Sequence, residues 1–568
     1  MPIRRAPAPP PKGLTPFGAT DLEANDWNRW RVAAWVSEEG DSEIFWGHEA
    51  WAAHLARMRR RIYMHFGGRY DMFFLPPLQQ IILSGSGILK AQHGQASVYD
   101  SWFTFQMALK KIGKAIGKLK LEGRSNRMEE LTDAEAAEQA LNDAEILALA
   151  LKLHRAWVAS FPHPDPRWPP TSGATAMYLM ESLEPEFVEY LRGQLLSLEE
   201  WVDQAAAVSG GRVEIHYIGV PKVRRLYAYD INSSYPRSWM EAPLPVGPWL
   251  PVDREVPHLP GVYECEVRQS REHFPVVAPE FMWKYDGRCW LTSEELAAVR
   301  ESGGAARVAR GWVSTTEGPL GQRFIQTMYE RKLAGDPWAK LTINCPHGKF
   351  DQGIFQQAYY RLRDGTYAVD RELGFLSWFQ RPLIGAFILA RARIRLWRTM
   401  EALRAAGWQV FYLDTDCIHT DCPPESFPGA LGPELGAYKL EVEASMAVYV
   451  APKVYGLEKS EEWWAKEKAK DPEAQRCKVV CKGFPAKMVS MDTLLRAARG
   501  ERVSVKERAG LTAFRSQLLE RNEEGEPLGW GPRVATLERT LCIQKGGKKY
   551  ERRGTGSLIY PDSIYSGP

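Results

Sequence analysis

The sequence lacks three things that would each fix a class of protein. No apolar run approaches the roughly 20 residues that a membrane-spanning helix needs; the longest beside a helical pattern, Leu383–Ala390, meets Arg391 and Arg393. No membrane partner is therefore expected. Charge of one sign is missing as well: 73 Lys and Arg against 70 Asp and Glu leave +3, so a polyanionic partner has to be argued from local patches. Cysteine is sparse, eight in 568 residues, with no Cys-x-x-Cys pair of zinc spacing. That excludes a dense disulfide framework and leaves reduced thiols in a cytoplasmic protein. Asparagine occurs seven times against 39 prolines and 21 tryptophans, a bias towards thermophilic composition. Met1–Gly13 carries Arg4, Arg5 and a proline run but no apolar core of a secretory signal, and residues 1–15 read as a disordered leader.

What is present is the balance of a globular chain, 45% hydrophobic and 25% charged. At roughly 150 residues per domain, the length implies three or four domains or one elaborated enzyme. No repeat recurs, which excludes solenoids and propellers. Strand patterns fill Asp21–Trp46, a helix is expected over His48–Arg61, and Ile62–Leu75 reads as strand and turn. Ala108–Lys120 is predicted as a basic amphipathic helix, with Lys110, Lys111, Lys114, Lys118 and Lys120 around Leu109, Ile112, Ile116 and Leu119. A long helix over Thr132–Trp157 is stopped by the proline-rich Phe161–Pro170. Ser209-Gly210-Gly211 reads as a flexible junction before a strand-rich stretch to Val267. Helices follow at Ser293–Gly303, Gly321–Lys332 and Leu383–Gly407, then a strand and turn at Val410–Thr420.

Carboxylates carry the chemistry. Asp230 closes the strand pattern Leu226–Asp230 beside the turn Ile231–Pro236, at the mouth of a buried strand. In Val410–His419, strand alternation places Asp414 and Asp416 on one face. Side by side they repel, and a divalent ion with octahedral oxygen coordination, Mg²⁺ or Mn²⁺, holds them ionised. A lone Asp-x-Asp is more often a solvated turn. Between the two lies Lys340–Phe350, preceded by Arg331 and Lys332; on one helix, Lys340, Asn344, His347 and Gly348 share a side that would grip a triphosphate.

In this order, the three elements resemble motifs A, B and C of the family B DNA polymerases, and Lys453-Val-Tyr455 resembles that family's primer-gripping Lys-x-Tyr. The protein-primed branch, replicases of small bacteriophages and linear plasmids, is the nearest resemblance. It implies an α/β (α+β) architecture in which an RNase H-like exonuclease domain precedes a right-hand polymerase. The layout implied is exonuclease 16–207, linker 208–219, palm 220–245 and 381–490, insertions of terminal-protein type at 246–320 and 351–380, fingers 321–350 and thumb 491–568. Asp230 and Asp416 would be the metal ligands, two Mg²⁺ (or Mn²⁺) per active site, with Asp414 supporting them. Tyr235 would bar a 2′-OH, Arg331 and Lys340 would bind phosphates, Asn344 and His347 would complete the nucleotide site, and Lys453 and Tyr455 would grip the primer. Ser234, Cys345-Pro346-His347 and Cys417 depart from the family pattern, and Pro346 should kink or stop its helix.

Upstream, Asp21-Leu-Glu23 shares a strand face, and Tyr63–Asp71 and Gln139–Asp143 resemble the second and third motifs of 3′→5′ proofreading exonucleases. The resemblance makes Asp21, Glu23, Asp71 and Asp143 the ligands of two metals, and has Tyr63, His65 and Ser101 line single-stranded DNA. Phe66 stands where asparagine is usual, and Gln139 where a tyrosine orients the attacking water, so a metal-competent but slow exonuclease is expected. Val208 replaces the tyrosine of the family's linker motif. The implied partners are primer-template and single-stranded DNA, dNTPs and a terminal protein, with Arg57–Arg61, Lys110–Lys120 and Lys545–Arg553 tracking phosphates. A monomer is expected, in a host cytoplasm if the source is viral. Two other readings stand beside this one: a polymerase that starts chains without a primer, and a non-catalytic nucleic-acid-binding relative.

Overall fold

The computed structural model describes residues 15–541, apart from 26–28, 85–86, 122–129, 279–280, 282–287, 354, 364–365, 374–376, 485–487, 512–529 and 531–533. The expected leader (apart from residue 15), the basic run Lys545–Arg553 and much of the segment 491–568 expected as a thumb lie outside the described residues. Two compact units emerge, each assembled from three stretches of chain: Met1–Glu189 with Gln326–Ser377 and Arg508–Thr536, and Tyr190–Ile325 with Trp378–Glu507 and Leu537–Pro568. No helix among the described residues is long and apolar enough to cross a membrane.

The first unit is built on a nine-stranded sheet. Its leading strands are β1 (Phe17–Asn25), β2 (Arg29–Ser37), β3 (Ser42–Phe45), β4 (Arg61–Met64), β5 (Gln80–Ser84), β6 (Gly87–His93) and β7 (Ala96–Asp100). β4 lies parallel to both β1 and β7, while β2, β3, β5 and β6 join antiparallel. The central β4 carries the unbroken apolar run Ile62-Tyr63-Met64, as a strand covered on both faces should. That run ends the expected helix early: it spans His48–Arg57, and Met58 is already extended. Two strands from the expected second insertion, Phe355–Arg361 and Tyr367–Leu373, extend the sheet beyond β5.

The long helix Asp133–Ala159 starts at a capping box of Thr132 and Glu135 and has neither glycine nor proline inside it. The basic helix is shorter than expected, Leu109–Ile116, because Gly117 takes φ 78° and ends it. Lys118 and Lys120 thereby leave the helical face.

The second unit holds a seven-stranded antiparallel sheet. Its order is Cys477–Cys481, Val454–Lys459, Tyr438–Ala451, β9 (Leu226–Ile231), Cys417–Thr420, Val410–Asp414 and β8 (Val213–Ile215). Helix Pro382–Ala405 starts with proline in its first turn and buries Leu383–Ile394 without interruption. The expected first insertion folds as a four-stranded antiparallel sheet of Trp249–Val252, Ala305–Ser314, Gly261–Arg268 and Arg288–Thr292, with helix Ser293–Glu301.

Candidate active sites

In the second unit, register brings the carboxylates together. Asp230, near the end of β9, faces Cys417 across one neighbouring strand and Lys439 across the other. Asp414 pairs with Cys417, so Thr415 and Asp416 form a two-residue hairpin loop. This corrects the expectation of one strand face: Asp416 sits in the loop, where Thr415 adopts φ 62°, as tight hairpin loops require of their residues. The loop is pinned by its backbone. Thr415 N–H donates to Arg212 O at 2.7 Å, and Ile231 N–H donates to Asp416 O at 2.8 Å.

Burial first, then the charges of Asp230 and Asp414, push the Asp416 pKa up to about 7. Two ammonium groups answer the negative charge: Lys439 Nζ lies 2.7 Å from Asp230 Oδ2, and Lys453 pairs with Asp414. Tyr412 donates its hydroxyl to Asp414 Oδ2 at 3.1 Å and accepts the Lys453 N–H at 2.9 Å. Tyr235, on helix Ser234–Met240, stands near the same charges, and its pKa rises to about 12 through burial and Asp416. Gly211 is needed by close approach: a Cβ there would come 2.9 Å from both the Thr415 side chain and the Tyr235 hydroxyl.

The junction is tied down by a side chain from the helix Pro382–Ala405. Arg393 Nη1 donates to Ser209 O at 2.6 Å and to Gly210 O at 2.8 Å, and the same guanidinium pairs with buried Glu295 at 2.8 Å. In the sequence, Arg393 shows only as an interruption of an apolar run.

In the first unit, ligand oxygens of Asp21 and Glu23 on β1 and of Asp143 on the long helix come within 4.8 Å of one another. Asp71 is buried beyond that group: burial, then the charges of Asp100 and Glu23, hold its pKa well above the ordinary value, and its own charge helps to raise Asp21. Burial likewise raises Asp21 and Asp143, and lifts Glu23 to about 7. Lys120 pairs with Asp143, whose Oδ1 is buried without a hydrogen-bond partner. Gln139 Nε2 donates to Glu23 Oε1 at 2.8 Å. Clustered carboxylate oxygens, one of them orphaned, fit a hard divalent cation such as Mg²⁺ or Mn²⁺. Sequence reasoning missed Lys120 as a member, because Gly117 turns it out of the helix, and missed Asp100, buried and bonded to the Gly68 and Trp102 N–H groups.

Known proteins share this architecture. Phi29 DNA polymerase, solved with primer-template DNA and incoming nucleotide substrates, superposes with a TM-score of 0.71 at 16% identity, over 93% of this chain and 100% of that one. Its complex with single-stranded DNA gives 0.71 at 17%, with the same coverage. The chain has the phi29 DNA polymerase fold. Among curated sequences, a probable DNA polymerase of Podospora anserina is 35% identical across 47% of this chain, which spans only 27% of that relative. No family model matches.

Within this phi29-type fold, several expected residues sit differently from the reading of the sequence. Motif B is not one helical face: Pro337–Thr342 and Pro346–Phe350 are separate short helices, broken ahead of Pro346. Lys340 and Asn344 are exposed, whereas His347 is half-buried and desolvation lowers its pKa to about 4. Arg331 lies over the Phe161 ring, 4.3 Å from its centroid, and 3.7 Å from Asp336. Tyr63 is fully buried against Phe17, Tyr99 and Trp168, so it packs the core instead of lining a strand. Ser101 is buried too, and its hydroxyl lies 3.0 Å from His65 Nδ1, which leaves His65 as the member of that trio nearer the surface. Tyr455 is packed among Tyr412, His419 and Tyr449 at 5% exposure, too enclosed to grip a primer with its ring face. Of the six non-glycine residues with positive φ among those described, Phe66, Ser233, Thr415 and Lys453 fall in these motifs, where strained backbone gathers at functional sites.

Proposed function

We propose that the chain is a DNA-directed DNA polymerase of the protein-primed family B kind, with a slow 3′→5′ exonuclease in its first unit. The observation that carries this reading is the convergence of Asp230, Asp414 and Asp416 at one end of the seven-stranded sheet. Asp230 and Asp416 would hold two divalent ions, Mg²⁺ or Mn²⁺, with Asp414 in support; bound there, such ions would supply acidification of the primer 3′-OH and charge neutralisation at the departing pyrophosphate.

The chain's own residues do the rest. Tyr235, held against the hairpin tip by Gly211 and Thr415, bars a 2′-OH. Exposed Lys340 and Asn344, with Arg331, would take the nucleotide, and Lys453, paired with Asp414, would meet the primer. In the first unit, Asp21, Glu23, Asp71 and Asp143 would hold the metal that supports hydrolysis of single-stranded DNA. Gln139 engages Glu23 and offers no phenol to orient a water, so digestion is slow.

Extension of a labelled primer on a longer template with Mg²⁺ and dNTPs tests the reading. Wild type extends and Asp416→Asn does not, whereas Asp143→Asn extends but no longer digests single strands. Absence of extension by wild type under both Mg²⁺ and Mn²⁺ would leave a nucleic-acid-binding relative in its place. Synthesis on a circular single strand, with neither primer nor partner protein added, would replace protein priming by unprimed initiation.

A further inference from the structure

The lysine beside Asp230 has no part in the mechanism above, on which this inference rests. Register fixes its place: Lys439 on Tyr438–Ala451 and Asp230 on β9 are direct cross-strand partners, and such partners hold their Cβ atoms about 5 Å apart on one face of the sheet. Lys439 Nζ reaches Asp230 Oδ2 at 2.7 Å. It therefore occupies a carboxylate that the polymerase reading assigns to a divalent ion.

We propose that Lys439 is a built-in counter-cation of the polymerase carboxylates, which the incoming metal must displace, so that this residue sets the metal concentration the site needs. Without a cation, Asp230, Asp414 and Asp416 confront one another, and the Lys439 charge relieves that repulsion at Asp230 as Lys453 does at Asp414. The Lys439 side chain is 49% exposed, so its ammonium passes into water when it leaves, on a flexible stem that needs no backbone change. Lys478 supplies the contrast. It lies on Cys477–Cys481 in the same sheet and pairs with Glu441 at 2.9 Å, not with a metal ligand.

The test is Mn²⁺ binding to the full chain, followed by the EPR signal of the free ion, in an Asp21→Asn/Asp143→Asn background that removes the first unit's site. Lys439→Met should tighten Mn²⁺ binding about tenfold, since one positive charge next to the ion is gone. Lys439→Arg should bind like the parent, and Lys478→Met should stay within about twofold of it. The Mg²⁺ concentration for half-maximal primer extension should fall in parallel for Lys439→Met. Unchanged Mn²⁺ affinity in Lys439→Met, or equal tightening in Lys478→Met or Lys439→Arg, would overturn the proposal while leaving the polymerase reading in place. If the parent binds no Mn²⁺ that Asp230→Asn removes, the polymerase reading falls and the proposal with it.

Discussion

Arg393 shows how one residue can serve the fold and the site together. Its Nε and Nη2 both bond Glu295 Oε1, and its Nη1 caps two carbonyls of the junction before Gly211. Glu295 is 4% exposed, and a buried carboxylate stripped of its partner costs about 3 to 5 kcal/mol. Arg393→Met should therefore lower unfolding free energy by about 3 kcal/mol in a urea melt. Adding Glu295→Gln should recover part of that loss, and a simple sum of the two single effects would contradict the coupling. The sequence announces the carboxylates, because Asp230, Asp414 and Asp416 sit in motifs whose spacing is itself the signal. Partners such as Arg393, Lys439 and Lys120 carry no local pattern. Their roles arise from strand register, from helix packing and from a glycine that ends a helix.

At the scale of elements, β1 and the long helix press a set of carboxylates together. Burial raises Asp21, Glu23, Asp71 and Asp143, Glu23 from 4.5 to about 7, and repulsion from neighbouring carboxylates adds to it at Asp21, Glu23 and Asp71. An acid whose pKa is higher folded than unfolded binds its proton more tightly in the folded state. Stability is then fully present below the unfolded value and is lost as pH rises through the folded one. In the presence of chelator, the melting temperature should fall between about pH 4.5 and 7, with Glu23 contributing no more than about 3 kcal/mol. Glu23→Gln should flatten the fall, and Mg²⁺ should abolish it. A melting temperature that climbs with pH in chelator would refute this account. Helices and strands here were legible where period and caps agree, as in Asp133–Ala159. They were illegible where one residue overrides the pattern: Gly117 shortens the basic helix, the break ahead of Pro346 splits motif B, and the two-residue loop takes Asp416 off its strand.

At the scale of the whole chain, neither unit is continuous, and a boundary at residue 207, where the resemblance puts the end of the exonuclease domain, falls inside the second unit and leaves out the downstream stretches of the first. The edge of the first unit's sheet is supplied from far downstream: Ala358, Tyr359 and Tyr360 pair with Ile82, Ile81 and Gln80. Tyr359 belongs to the buried core, Tyr367 donates its hydroxyl to Leu78 O at 2.8 Å, and Trp530 Nε1 donates to Leu75 O at 2.7 Å. A fragment of residues 16–207 keeps all four carboxylates of the exonuclease site but uncovers β5 as a bare edge and opens the core beneath it. Unpaired edges of this kind recruit other chains. The fragment should therefore elute as aggregate in size-exclusion chromatography and melt well below the full chain, even though every proposed ligand is present. Appending residues 326–377 through a flexible linker should restore a monomer and, with it, Mg²⁺-dependent digestion of single-stranded DNA. A monomeric 16–207 fragment that digests like the full chain would mean that the downstream strands decorate the sheet without completing it.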